Sequence, residues 1–562
     1  VQKIKTMHKL LLSTFLSFIF STIIQAQTRY VAVAGNDLAN DCSLPGNPCA
    51  TISNAVLQAL EYDTIYVASG TYAFAGTQMI DKSLVVIGQD SLNKPIITAA
   101  APAVIEVTAD SVTISNLRIE MGLTMTDGIG GIVASGNYNG LVIDHNEIIS
   151  TKLYSIGMVF NSYGILASGG AAGQSITISN NIIEPLDSAR DAHGRAIGIG
   201  QNGVVGPGAS IFNNSIKAFY PIQAIENTGN LICNNNWFIG IVLITYPGAG
   251  TTNSFTFNTF DAYNDQIADN LLALLELRAF NNNTSALVQG NSFLNYKNIG
   301  LFSSASRNIT VLDNEFMPSD SASDFISIYA NTKLFTSGTQ NTNYSNQIEI
   351  KGNEFGAGLD SMGAAIVFGD HFGATIPAFE DTLMVGGPNA NDKNTFDIHL
   401  GQYIVLDTLS GPSNAVSFWS GYSISNMIPF TQSVYALAAY NEYNISDTIA
   451  LEAKMIDSLD ISGLGKVILF DSLVVTSNYN IELLSLNVFP NPSSRFVHIS
   501  HKNISGNAWV SIINLQGKLI YNFRLNASNG CLTVPIEQLS QGTYLMIVQN
   551  NNEAYQCKFI KE

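Results

Sequence analysis

The stretch DSARDAHGR, Asp187 to Arg195, gathers two acids, two arginines and a histidine in a chain that is only 12% charged. These residue types suffice for proton transfer beside a carboxylate. Taking a proton from a carbon beside a carboxylate needs an Arg, Lys or His as base, and a cation or metal to neutralise that carboxylate. On that reading Arg190 and Arg195 are carboxylate clamps or base, and His193 is an acid/base. Asp187 and Asp191 are ligands to calcium, the one cofactor such a set suggests. The plainer reading is that a charge-poor fold keeps its charges on loops. Weaker pairs are Asp144–His145 in VIDHNEI, Asp370–His371 in FGDHFG and Asp397–His399 in FDIHL. The run Asp261, Asp265, Asp269 lacks the spacing of an EF-hand loop, and no Cys/His spacing matches a zinc site.

Such residues need an element to hold them, and the chain supplies one by repetition. The segments VIDHNEI, ITISNNII, SIFNNSI, FTFNTF, LVQGNSF, TVLDNEF, EIKGNEF and NDKNTF each carry an Asn, one intervening residue, then Ile or Phe. The asparagines are Asn146, Asn181, Asn214, Asn258, Asn291, Asn314, Asn353 and Asn394, with a variant at Asn235 in ICNNNWF. With Asn235 included, the intervals are 35, 33, 21, 23, 33, 23, 39 and 41 residues. Between these units lie second apolar stretches such as YGILASG, RAIGIGQNG and DFISIYA. The runs are too short for helices and alternate with period two, so they read as strands. A minimal coil near the shortest interval, with loops of variable length, describes a solenoid of parallel strands with apolar residues inward. Asn tolerates left-handed backbone and its amide can satisfy buried turn groups. Stacked in register, the repeated Asn forms a hydrogen-bonded ladder, which is scaffold and not a ligand site. DSARDAHGR follows NNIIEPL and precedes RAIGIG, so it is expected to protrude as a loop.

The opening YVAVAGNDLANDCSLPGNPCATISNAVLQALEYDTIYVASGTY, residues 30–72, followed by KSLVVIGQD, resembles the start of right-handed parallel β-helix proteins of the pectin-lyase-like superfamily. The resemblance implies a strand and a short amphipathic helix, TISNAVLQAL, capping the first coil, a cap that also covers open strand edges. It extends over roughly residues 30–470 and speaks to fold more than activity, since the superfamily holds lyases, hydrolases, epimerases and non-catalytic surface proteins. VIDHNEI is similar to the WIDH strand of pectate lyases, but Val142 stands in place of the tryptophan. Neither the Arg-x-Pro-x-x-Arg motif of pectate lyases nor the paired Asp motifs of polygalacturonases is present, which lowers the enzyme reading. Residues 433–470 break the coil rhythm and are expected to form a C-terminal cap with a helix around Ile449 to Met455.

From Leu486 the rhythm changes to short alternating strands with turns at NPSS, LQGK and SQGT, a small antiparallel β-sandwich. Pro490-Asn491-Pro492 after Phe489, then INLQGKLI, LSQGTYLMIV and the final KFIKE closely resemble the C-terminal sorting domain of the type IX secretion system. The resemblance implies export across both membranes of a Bacteroidota-type cell, with the secretion machinery as partner and surface attachment or release as outcome. On it, Gly517, Gly542 and Tyr544 are turn and core positions of the sorting signal. The expected fold class is therefore all-β: a right-handed parallel β-helix followed by a small Ig-like antiparallel sandwich. The expected divisions are a signal peptide at 1–26, the helix with its caps at 27–472, a linker at 473–485 and the sorting domain at 486–562.

The signal peptide is read from the basic VQKIKTMHK, the apolar LLLSTFLSFIFSTII and the small Ala26. That run is short for a spanning helix and no later one is longer, so no stable transmembrane segment is expected after its removal. Cys42 and Cys49 flank the turn-rich SLPGNP, and a disulfide is expected there, with two free thiols as the alternative. Cys233, Cys531 and Cys557 stay unassigned. The net charge of −18 without a basic stripe argues against nucleic acid. Three functions remain: polysaccharide or surface binding without catalysis, lyase or hydrolase action on uronate-containing glycans, and a structural stalk or adhesin. Exposed aromatics along one groove would favour sugar, because rings stack on pyranose faces.

Overall fold

The computed structural model describes residues 26–121, 129–150, 162–169, 173–184, 194–200, 206–225, 228–262, 273–278, 280, 284–304, 306, 308–320, 322, 325–331, 348–358, 363–369, 383–387, 389–407, 434–438, 441–443, 445, 447–456, 465–468, 484–485, 487–500, 506–514, 519–527, 531–550 and 553–562. The expected signal peptide lies outside these residues except for Ala26. The chain divides into two compact units, 1–307 with 317–320, and 308–316 with 321–562.

In the first unit each coil contributes one strand to each of three parallel sheets. Leu141–Asp144 belongs to sheet I, Glu147–Ser150 to sheet II and Ser162–Ala167 to sheet III; Ser175–Ser179 then begins the next coil. Pairing runs in register from coil to coil, so a position in one strand sits on the same position of the next. The period of two then sends one set of side chains inward. In sheet I, Ile114, Ile143, Ile178 and Ile211 stack, continued by Cys233 and Phe255. In sheet II, Ile119, Ile148, Ile183 and Ile216 give way to Phe238, Phe260 and Phe293, with ring centroids 5.3 and 4.8 Å apart. All are buried, each contributing roughly 1.5–3 kcal/mol. Burial among these side chains pushes the Cys233 thiol far up, which keeps it a small apolar filler.

The corner between sheets I and II has two residues. The first is left-handed: His145, Asn180, Asn213, Asn235, Phe257 and Gly290 have φ between 53 and 63°. The second is the buried ladder Asn. Asn181 Oδ1 accepts from the Asn146 backbone N–H at 2.8 Å and from its Nδ2 at 3.2 Å, while Asn181 Nδ2 donates to Ile143 O at 2.9 Å. Asn214 repeats the pattern with Asn181 and Ile178. The backbone donor fixes which amide atom is oxygen, since only the oxygen accepts. The ladder then passes to Asn236, not Asn235: Asn236 Oδ1 accepts from Asn214, and its Nδ2 reaches Asn258 Oδ1 at 2.9 Å. Asn235 takes the left-handed, exposed place before it. Both steps around Asn236 are therefore 22 residues. In the second unit, Asn314, Asn353 and Asn394 form the same ladder, extended by Asn441. Phe316, Phe355, Phe396 and Tyr443 stack in order beside it, 5.1–5.3 Å apart.

At the start of the helix, Ile52–Gln58 is a short α-helix whose N–H at Asn54 bonds to the Thr51 hydroxyl. It packs on Thr28–Val31 and Thr64–Val67, the first strands of sheet I. The Cys42–Cys49 disulfide is formed and buried. Asp63 ties this cap together, accepting from Arg29 Nε at 2.9 Å and from the N–H groups of Gln27 and Leu60. In the stretch expected as a C-terminal cap, a helix does form at Thr448–Glu452. The strands around it nevertheless keep the coil pairing: Val434–Leu437 with Gly465–Ile468, and Met455–Ile456 with Gln402–Asp407.

The described residues between 484 and 562 form a sandwich of a five-stranded and a three-stranded sheet, antiparallel except at one edge. That parallel edge is Leu484–Ser485 against Tyr555 and Gln556, so the last two residues of the expected linker join the sheet. Val497, Ile499, Val510, Ile512, Met546 and Phe559 are among its buried core. Burial pushes the Cys557 thiol there up to about 12. The Cys531 side chain lies outside the described residues.

Two stability outcomes follow. Asn236→Ala strips partners from the Asn214 N–H and the Ile211 carbonyl and should cost at least about 2 kcal/mol, while Asn235→Gly should stay within about 0.5 kcal/mol; urea melts of both variants check this. Burial works against ionised Asp63, but the Leu60 and Gln27 N–H groups and Arg29 outweigh it and hold its carboxyl below the usual range. A depressed carboxyl adds stability above its unfolded pKa and loses it as pH falls through the folded one. Asp63→Asn should therefore lower the melting temperature at pH 7, and the gap to the parent should close only below about pH 4.

Candidate functional site

Of the five expected site residues in DSARDAHGR, Asp187, Arg190, Asp191 and His193 lie outside the described residues. Arg195 is described, as the second residue of the sheet III strand Gly194–Ile199. In-register pairing places it between Tyr163 of the preceding coil and Tyr220 of the following one. Its guanidinium carbon is 5.5 Å from the Tyr163 ring centroid and 5.8 Å from that of Tyr220, a cation between two aromatic faces. Its Nε donates to Gln223 Oε1. Gly198, on the same strand, leaves room for the Tyr163 ring, since a Cβ there would come within 2.5 Å of it.

A second column on this face carries Gln223, Leu243 and Glu276 in register. Glu276 is 2% exposed and pairs with Arg278 of its own strand, Ala273–Arg278; a buried carboxylate needs such a partner. Burial pushes the Tyr220 phenol up, with the Glu276 carboxylate adding to the shift and Arg278 and Arg195 opposing it. Burial likewise raises Tyr163 against the pull of Arg195. The face thus brings two rings, two guanidiniums, an amide and a carboxylate together. Tyr163, Tyr220, Gln223, Glu276 and Arg278 escape a reading by motif. Their signal is polar and aromatic residues inside apolar strands, as in YPIQAI and ALLELR.

The weaker pairs sit elsewhere. His145 Nδ1 lies 2.6 Å from Asp144 Oδ2, while Asp144 Oδ1 accepts from the Ser179 hydroxyl at 2.6 Å and from Asn180 Nδ2 at 2.8 Å. Burial opposes ionisation of Asp144, but the bonds from Ser179, Asn180 and His145 prevail and hold it below the usual carboxylate range. The serine bonds to the aspartate and not to the histidine, so the trio is no nucleophile relay. His399 folds onto Asp397 in an exposed turn. Asp261 is buried and accepts from Asn295 Nδ2 at 2.8 Å; Asp265, Asp269, Asp370 and His371 lie outside the described residues. Among the described residues, no group of three or more His, Cys, Asp or Glu could hold a metal ion.

In the C-terminal sandwich the motif residues meet. Asn491 Oδ1 accepts from the Ile560 N–H at 2.8 Å, and its Nδ2 donates to Lys558 O at 3.1 Å. Pro490 and Pro492 flank it on the exposed surface. Gly542 opens the strand Gly542–Asn550, and Tyr544 bonds through its hydroxyl to Ser540 O while stacking on Phe559. Gly517 lies outside the described residues. Residues 487–562 match the family described as Secretion system C-terminal sorting domain. They are that sorting domain.

The sorting domain marks the chain for export by the type IX secretion machinery, to the medium or the cell surface. No described helix is long and apolar enough to cross a membrane. Among solved structures, the pectate lyase Pel9A is 14% identical, over 60% of this chain and 79% of its own, with a TM-score of 0.36. The Dettilon tailspike protein is 12% identical over 91% and 89%, also at 0.36. A pectin methylesterase from Aspergillus niger is 12% identical over 56% and 92%, at 0.28. These are likenesses of fold alone. A comparison with curated proteins gives no match. A chain ending at residue 486 should stay inside the cell while the full chain reaches the surface or medium; immunoblots of cell fractions check this.

Proposed function

We propose that the protein is an exported β-helix that binds polysaccharide without catalysis, at the partly exposed Arg195 and Tyr220 of sheet III. The observation that carries this reading is Arg195 between Tyr163 and Tyr220. A guanidinium does not give up its proton in proteins, and here it is further engaged by Gln223 and two rings. A cation so held recognises a carboxylate or hydroxyl and does not shuttle protons. Removal of a signal peptide at Ala26 belongs to the same export route. Residues 187–193 precede this strand in sequence, and on this reading Asp187, Arg190, Asp191 and His193 extend the binding face, with calcium as a bridging ion to acidic sugars.

A second reading, lyase or hydrolase action on uronate-containing glycans, draws on Glu276, a buried carboxylate beside a phenol and two cations. Retention of the chain on polygalacturonate and alginate gels separates the two. Binding is expected with no unsaturated product by ultraviolet absorbance and no new reducing ends, and Arg195→Ala should weaken it about tenfold or more. Turnover that falls with Glu276→Gln would favour the enzyme; no retention on either polymer would overturn both.

A further inference from the structure

The corner that carries the ladder inside has a second surface outside. Its left-handed positions form an outward column: His145, Asn180, Asn213, Asn235, Phe257 and Gly290. Two residues further along each corner, on the outer face of sheet II, Ile182, Ser215, Trp237, Thr259 and Ser292 stand in register. From Asn180 to Ser292 neither column carries a charge, whereas Asp144, His145 and Glu147 bound it at one end.

Phe257 is the anomaly. Side chains with a Cβ avoid left-handed backbone, and a bulky one is an outlier there; the neighbouring coils use Asn or Gly. Yet Phe257 has φ 54° and is 61% exposed, so core packing does not account for it. Its ring lies across the next corner, where a Cβ on Gly290 would come within 2.7 Å of it. Trp237, in the preceding coil, is 44% exposed. Beside these rings are amides with capacity to spare. Asn213 Nδ2 donates to Asn180 Oδ1 at 3.3 Å, and Asn235 is held through its backbone N–H alone among the described residues. Coils repeat about every 4.8 Å, close to the length of one pyranose residue in an extended glycan.

We propose that this corner is a second glycan-binding track, taking one extended, neutral polysaccharide along the coil axis. Trp237 and Phe257 are its stacking platforms for the apolar faces of sugar rings, and the Asn213 and Asn235 amides bond to hydroxyls. The track uses no residue of the sheet III face and stands whether or not that face binds acidic glycans.

The test is calorimetric titration of the full chain with cellohexaose, xylohexaose and mannohexaose. At least one neutral hexasaccharide should bind, and Phe257→Asn and Trp237→Ala should each weaken it about tenfold or more, the loss expected for one apolar contact. Phe257→Asn should melt no lower than the parent, because it restores the residue type of the neighbouring coils; a merely structural phenylalanine would lower it. Arg195→Ala should leave neutral binding unchanged. Failure of all three sugars to bind, parent-like binding by both variants, or loss of neutral binding in Arg195→Ala would overturn the proposal.

Discussion

From Asn146 onward, each described coil turns from sheet I into sheet II through a corner whose second residue is buried between the coils above and below it, so its polar groups must find partners within the protein. The asparagine ladder answers this constraint. Within the ladder, as at Asn214, the amide oxygen takes two donors from the coil before, and the amide nitrogen reaches a carbonyl of that coil and the oxygen of the next asparagine. A buried amide left partly satisfied would be costly, so the ladder also sets the register. Once each corner is locked to its neighbours, every strand leaving it falls on the same position of the adjacent strand.

That register makes a surface out of scattered residues. Tyr163, Arg195 and Tyr220 belong to three coils and lie 32 and 25 residues apart in sequence, yet they meet as consecutive members of one column. The same logic lines up Asn213, Asn235 and Phe257 on the opposite side of the corner from the ladder. Stacked parallel strands permit this because the loops absorb differences in length and leave the rungs alone. Interior changes follow the same columns: isoleucine stacks pass into phenylalanine stacks without disturbing the pairing.

Much of this was legible in the sequence. The repeated Asn announced the coil, because one residue type recurs at the one position where geometry demands it. The run Asn234-Asn235-Asn236 hid the correct member, since a left-handed turn and a ladder both favour Asn and only hydrogen bonding separates them. Asn441 does not show the repeat, because no Ile or Phe follows at the usual distance; Tyr443 fills that place. Arg195 stands out in the sequence by its charge, but its tyrosine partners do not. Their proximity depends on register across loops, and sequence distance says nothing about it. The sorting domain was readable because its signatures are local turns and strand ends.

Those signatures, however, do not act as separate words. Asn491 reaches Lys558 and Ile560, residues nearly seventy positions away, so the first and last markers adjoin only after the sandwich has closed. An unfolded or nicked chain carries the same letters but presents them apart. The two ends of the signature therefore form one continuous surface only in the folded sandwich.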